Sequence, residues 1–175
     1  MAMMDTGCRG LLIAGGGGAG KTTMGQAIAR ILTDRLLPTA VIDLDALAQY
    51  GPAPATERGF HDRLRIRNLA AVWATYRAAG ARFVVVSGAI GSPELRQAFT
   101  ESLAGCDVQM VKLLTPPTLV ESRTRGTTRG PEWDLQQALA EYDETPGVED
   151  FAITNDRPAP ETAAKILLTA GWIDH

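Results

Sequence analysis

The 175-residue sequence has only two cysteines, Cys8 and Cys106, far apart and with neither metal-ligand spacing nor a partnering His pair. Neither a disulfide framework nor a zinc site is expected from that pattern, and the compartment it suggests is a reducing one. No run approaches the roughly 18 consecutive apolar residues of a membrane span, so the chain is expected in the cytoplasm and away from membranes. The one stretch resembling a leader, Arg9 to Ala14, stops at a glycine cluster and reads as a strand. Excess positive charge is also missing: 17 Lys+Arg against 20 Asp+Glu leave a net charge of -3, with no field to hold a nucleic acid. Internal repeats and low-complexity tracts are absent from the letters. What remains, 45% hydrophobic and 21% charged residues, is the composition of an ordinary globular protein, and the length suits one domain over 1–175.

Short apolar runs alternate with helical periodicity. Strands are expected at Leu11 to Ala14, Ala40 to Asp43, Arg82 to Ser87, Val108 to Leu114 and Phe151 to Thr154. Between them, Met24, Ala27, Ile28 and Ile31 recur at i, i+3, i+4, i+7, as do Leu69, Val72, Trp73 and Tyr76, then Leu135, Ala138, Leu139 and Tyr142, then Ala163, Ile166, Leu167 and Ala170. Each set predicts one buried helical face. Continuous apolar strands separated by helices require a parallel sheet covered on both sides, so the fold class is α/β in three layers with five strands. In such sheets ligands lie beyond the carboxyl ends of the strands, which directs attention to the residues that follow each one.

The first strand is followed by Gly15, Gly16, Gly17, Gly18, Ala19, Gly20, Lys21, Thr22 and Thr23, which fits G-x-x-x-x-G-K-[ST] and leads into a helical pattern. Glycines let the backbone curl until successive N–H groups point at phosphate oxygens, and the helix N-terminus adds partial positive charge. Lys21 would reach the β and γ phosphates. Thr22 would offer its hydroxyl to Mg²⁺, an ion that keeps several waters and takes few protein ligands.

The second strand ends in Asp43 and Asp45, two residues apart, so both side chains would share a side if the strand continued. A carboxylate there takes a proton from an attacking hydroxyl or holds a metal-bound water; Asp45 is equally placed to cap the segment that follows. We assign Asp45 to the acceptor and Asp43 to the metal, either being eligible as the base. The third strand closes on Ser87-Gly88, without the carboxylate that many ATPases place there, and Ser87 is a candidate for the acceptor pocket.

Arginines complete the set. The segment 123–131 carries Arg123, Arg125 and Arg129 between Pro117 and Pro131 and reads as a lid, since a rigid guanidinium fork suits both the charge of a transferring phosphoryl group and a stacked base. A solvated basic loop would carry the same letters. Arg63, Arg65 and Arg67 lie on the helix after the second strand, where one face would line an acceptor pocket for an anionic or polyhydroxy molecule, or face solvent. His61, Tyr50, Phe60 and Trp133 are polar or ring-bearing candidates beside them, whereas the spacing of Trp73 places it in the core.

On these residues the chain resembles the small-molecule kinases of the P-loop superfamily, among them adenylyl sulfate kinase, gluconate kinase, chloramphenicol phosphotransferase and shikimate kinase. It is also similar to a group of bacterial ATP-binding kinases of unassigned substrate. Gly59, Phe60, Arg65, Asn68 and Phe83 to Ser87 hold positions comparable to those of adenylyl sulfate kinase, while Asp62-Arg63 stands two residues earlier than that family's Asp-Arg pair and its lysine-rich lid signature is missing. The resemblance implies a P-loop kinase fold with an arginine-bearing lid, ATP and Mg²⁺ as cofactors, and transfer of the γ-phosphoryl group to a small-molecule hydroxyl. It further implies that Asp45 faces the acceptor, that Arg123 and Arg129 act on the phosphates, and that Arg157 and Pro158 hold the adenine from the side opposite the lid. A nucleotide-binding regulatory ATPase module and a nucleoside or nucleotide kinase are the alternatives, and the oligomeric state is left open.

Overall fold

Five strands carry the centre of the molecule: β1 (Cys8–Gly15), β2 (Thr39–Asp43), β3 (Phe83–Ser87), β4 (Cys106–Leu114) and β5 (Phe151–Thr154). They form one parallel sheet in the order β2-β3-β1-β4-β5. The computed structural model describes residues 7–124 and 147–175. Helices α1 (Lys21–Asp34), α2 (Phe60–Ala78), α3 (Pro93–Ser102), α4 (Pro117–Thr124) and α5 (Ala159–Thr169) accompany the strands among the described residues, with a 3-10 turn at Ala46–Ala48.

The strict alternation of a strand divides the core in two. Leu11, Ile13, Val85, Val111, Leu113 and Ile153 face α1 and α5, meeting Met24, Ile28, Leu32, Ile166 and Leu167. Their neighbours Leu12, Ala14, Val84, Val86, Ile42 and Met110 face α2 and α3, meeting Leu69, Trp73, Phe99 and Leu103. Both faces of the sheet are therefore dry, as its run-on apolar strands require. The three-layer α/β architecture is the expected one.

Three local expectations differ from the outcome. Tyr76, assigned to the buried face of α2, is 42% exposed in the last turn of that helix, whose buried residues are Leu69 and Trp73. Helix α3 was not anticipated, since Leu95, Phe99 and Leu103 are too sparse among polar letters to show a periodic face. Its start signal is nonetheless present: the Ser92 hydroxyl accepts from the Leu95 N–H at 3.2 Å with Pro93 at the first helical position. The cysteines form the third correction. Cys8 and Cys106 are register partners on β1 and β4, 4.3 Å apart at Cα, and a disulfide joins them. Chain spacing cannot reveal that pairing, because parallel strands bring together residues far apart in sequence; the cysteine argument for a reducing compartment falls with it. The helix expected around Leu135 to Tyr142 lies outside the described residues. No helix among the described residues is long and apolar enough to cross a membrane.

The chain leaves β1 toward the β2 edge and later crosses from β3 to β4 on the other side of β1. That reversal opens a crevice at the carboxyl ends of β1 and its neighbours, where the glycine loop lies.

Candidate functional site

Residues Gly16 to Gly20 join β1 to α1, and Gly18 and Gly20 have φ of 75° and 91°, left-handed values that side chains rarely adopt. The loop thus turns back over the start of α1. Lys21, the first residue of α1, lays its ammonium across the loop, donating to the carbonyls of Gly15 and Gly16 at 2.9 Å each. The charge is held at the rim where phosphate oxygens would meet the loop amides and the helix N-terminus.

On the β2 side, Thr22 donates its hydroxyl to Asp43 Oδ2 at 3.2 Å, while Asp43 Oδ1 accepts the backbone N–H of Asp45 at 2.9 Å. One carboxylate therefore ties the phosphate loop to the turn after β2. That turn ends the strand, so Asp45 does not continue the alternation; it stands at the start of the 3-10 turn without capping it by its side chain. The Asp45 carboxylate is 71% exposed and meets Arg65 at 3.4 Å, and Arg65 also donates to Asp62 at 3.0 Å. Arg65 is shared between two acids. Leu44, between the two aspartates, is fully buried and leans on Gly88, where a Cβ would come within 2.7 Å of the Leu44 side chain. Gly88 is what lets the acid-bearing turn sit so close to the end of β3.

Among the described residues no group of three or more His, Cys, Asp or Glu converges as a metal cluster. A cation beside the loop would have the Thr22 hydroxyl and the Asp43 carboxylate, a hard-oxygen pair with room for waters that suits Mg²⁺.

On the opposite flank a cavity of about 410 Å³ is bounded by Gly20, Thr23, Met24, Arg123, Asn155 and the turn from Asp156 to Ala159. Arg123 reaches in from the end of α4 and donates to the Asn155 carbonyl at 3.2 Å. Arg157 and Pro158 form the other wall, Arg157 lying 3.7 Å from Glu161. The size and mixed lining suit a planar heterocycle next to the phosphate loop.

The structure thus brings together Gly15 through Thr23, Asp43, Asp45 and Arg65 on one flank, and Arg123, Arg157 and Pro158 on the other. It does not bring Arg63 or Arg67 to the cluster. Arg63 is exposed and occupied with Glu57 at 2.9 Å and the Arg58 carbonyl, and Arg67, roughly 200° round the helix from Arg65, is exposed as well. Ser87 is 3% exposed, wedged between Ile13 and Asp43 in the register, so an acceptor could not reach its side chain without displacing the turn above. Arg129, and the segment expected to form a lid beyond Thr124, lie outside the described residues. His61 is turned to the Tyr50 carbonyl at 2.9 Å, and Tyr50 and Phe60 rings lie 5.2 Å apart beside it.

Three residues with evident parts in this geometry went unassigned: Asp62, Thr115 and Asn155. The signal for the last two was weak but present, a polar residue directly after each of two apolar strands, which is where such sheets place their functional side chains.

No protein-family model matches the chain, and no curated protein matches it in sequence. Among solved structures, a sugar kinase from Janibacter is similar with a TM-score of 0.65 and 19% identity, over 94% of this chain and 95% of that one. APS kinase of Mycobacterium tuberculosis, determined with AMPPNP and APS, is similar with a TM-score of 0.64 and 22% identity, over 94% and 98%. A gluconokinase from Sinorhizobium meliloti is similar with a TM-score of 0.57 and 24% identity, over 95% and 98%. The shared architecture is that of the P-loop small-molecule kinases, over nearly the whole length of each chain. At these identities the likeness is one of fold, and chemistry has to be argued from the site.

Proposed function

We propose that the protein is an ATP-dependent, Mg²⁺-requiring kinase that transfers the γ-phosphoryl group to a hydroxyl of a small metabolite. The observation that carries this reading is the bond from Thr22 to Asp43, which sets an exposed carboxylate, Asp45, immediately beyond the phosphate end of the glycine loop. The fold neighbours agree in kind, being a sugar kinase, an APS kinase and a gluconokinase.

In this reading the base of ATP enters the cavity between Arg123 and Pro158, and the phosphates lie along the loop amides. Lys21 exchanges the Gly15 and Gly16 carbonyls for phosphate oxygens. Thr22 and Asp43 would hold Mg²⁺, which when bound neutralises charge on the phosphoryl oxygens. The acceptor approaches from the β2 side, in line with the bond to ADP. Asp45 accepts a hydrogen bond from the acceptor hydroxyl, orients it, and takes its proton as the new P–O bond forms and the bond to the ADP oxygen breaks. Arg65 holds Asp45 toward the site and offers a donor to further acceptor oxygens. Arg123 and Arg129 are assigned to the charge on the transferring group.

ADP release measured across a panel of hydroxylated metabolites, anionic and neutral, tests the proposal. Release that depends on one acceptor, with stoichiometric phosphorylated product, supports it. Release that ignores the acceptor, or stays at a few turnovers per hour with all of them, favours a regulatory ATPase module instead.

A further inference from the structure

The loop is aimed from below by two side chains that the reaction itself does not call for. Thr115 follows the last residue of β4, and Asn155 follows the last residue of β5; Leu114 and Thr154 are register partners, so the two polar residues emerge side by side. They are 2% and 3% exposed. Thr115 Oγ1 and Asn155 Nδ2 both donate to one carbonyl, that of Ala19 within the glycine loop, each at 2.8 Å. Asn155 is itself held by its backbone N–H on the Leu114 carbonyl at 2.8 Å, and its own carbonyl takes the Arg123 guanidinium at 3.2 Å.

Two buried donors on a single acceptor oxygen saturate that oxygen and fix its direction. The peptide unit is planar and trans, so the N–H of Gly20 must point opposite to the Ala19 carbonyl. With the carbonyl drawn down into the sheet ends, the Gly20 N–H is turned up, away from the core. Gly20 is the N-cap of α1, where an N–H has no partner within the helix. Its left-handed φ of 91° and the closeness of Asn155, 3.1 Å from where a Cβ would be, leave glycine as the residue that fits there.

We propose that Thr115 and Asn155 are positioning residues that aim the Gly20 amide at the nucleotide phosphates, and that Asn155 links this amide to the base cavity through Arg123. The inference rests on the nucleotide-binding reading above. An amide aimed in advance loses less on binding than one that must be ordered by the ligand.

The test compares wild type with Thr115→Val, which keeps the shape and removes the donor, with Thr115→Ser, which restores it, and with Asn155→Ala as a second route should Thr115→Val fold poorly. Calorimetry with MgADP and with adenosine is read beside the ¹⁵N–¹H resonance of Gly20. We expect Thr115→Val and Asn155→Ala each to weaken MgADP roughly three- to tenfold, the cost of one lost hydrogen bond, with the Gly20 resonance displaced before nucleotide is added; Thr115→Val, whose site lies outside the lining of the base cavity, should leave adenosine unchanged. Thr115→Ser should bind as wild type. Unchanged MgADP affinity and an unmoved Gly20 resonance in both variants would overturn the proposal alone, as would an equal loss for MgADP and adenosine in Thr115→Val, which marks general loosening. Failure of wild type to bind MgADP would remove the nucleotide reading and this inference together.

Discussion

The two flanks of the glycine loop are built in different materials. Toward β4 and β5 the loop is held by buried donors on a backbone carbonyl, with Thr115 and Asn155 closed to solvent. Toward β2 it is held by a half-buried carboxylate and continues into a solvent-open ion triad, in which the exposed Asp45 and Asp62 share the partly buried Arg65. A buried hydrogen bond costs a full desolvation penalty when broken, so the first flank is rigid. An exposed pair is worth little and rearranges cheaply, so the second flank can adapt to what binds it. The contrast suits an enzyme whose nucleotide is constant and whose acceptor has to be admitted, oriented and released.

The sharpest way to break the comparison is Asp45→Asn, which keeps the shape of the adaptable flank and removes its base. Turnover with the identified acceptor should drop by about 10² to 10⁴, with MgATP affinity by calorimetry unchanged within about twofold. Near-normal turnover would transfer the role of base to Asp43. At the loop between the two flanks, Lys21→Ala should lower kcat/KM by about 10² to 10³, as loss of one donor to developing charge does elsewhere. Its thermal midpoint should stay close to that of wild type, because the lysine stands at the start of α1 and outside the core.

A third variant tests whether the flanks are independent. Gly88→Ala would set a methyl group 2.7 Å from Leu44 and push on the turn that carries Asp45, without touching the β4 and β5 side. Chemical denaturation should register a loss of about 1–3 kcal/mol, the usual result of overpacking. Acceptor turnover should fall further than MgADP affinity; an equal fall would mean that the two flanks move as one. The smallest effect is expected for Arg65→Gln. The pair is too open to water to contribute more than about 1 kcal/mol to stability, so thermal unfolding should barely change. The acceptor KM should rise several-fold while the nucleotide KM does not.

The glycine loop was legible in the letters, whereas Thr115 and Asn155, which hold its β4 and β5 side, were not. The order of strand, glycine loop and helix is a local matter, with every residue from Gly15 to Thr23 contiguous, and its chemistry follows from residue type and spacing. The pair Arg157 and Pro158 was also found at a cavity wall, in a turn after a recognisable strand. The adaptable flank was legible in part. Asp43 and Asp45 announced themselves at the end of a Val-Ile strand, yet their division of labour depends on a turn that breaks the alternation between them. Of the three arginines on α2, helix phase brings Arg65 to Asp45 and leaves Arg63 and Arg67 facing outward, which a list of arginines at close spacing cannot distinguish. Helix α3 escaped because its apolar face is narrow.

The sequence by itself determined the strands, the loop and the helices with a broad apolar face, because backbone curl, helix start and alternating burial are set by neighbours along the chain. Tertiary structure decided every pairing across the sheet: Cys8 with Cys106, Thr22 with Asp43, Arg65 with Asp45, and Thr115 and Asn155 with Ala19. Each joins residues that stand on, or directly after, separate elements. A parallel sheet aligns the carboxyl ends of its strands whatever the length of chain between them, so which polar residues meet there depends on strand order and register, quantities that no local stretch of sequence contains.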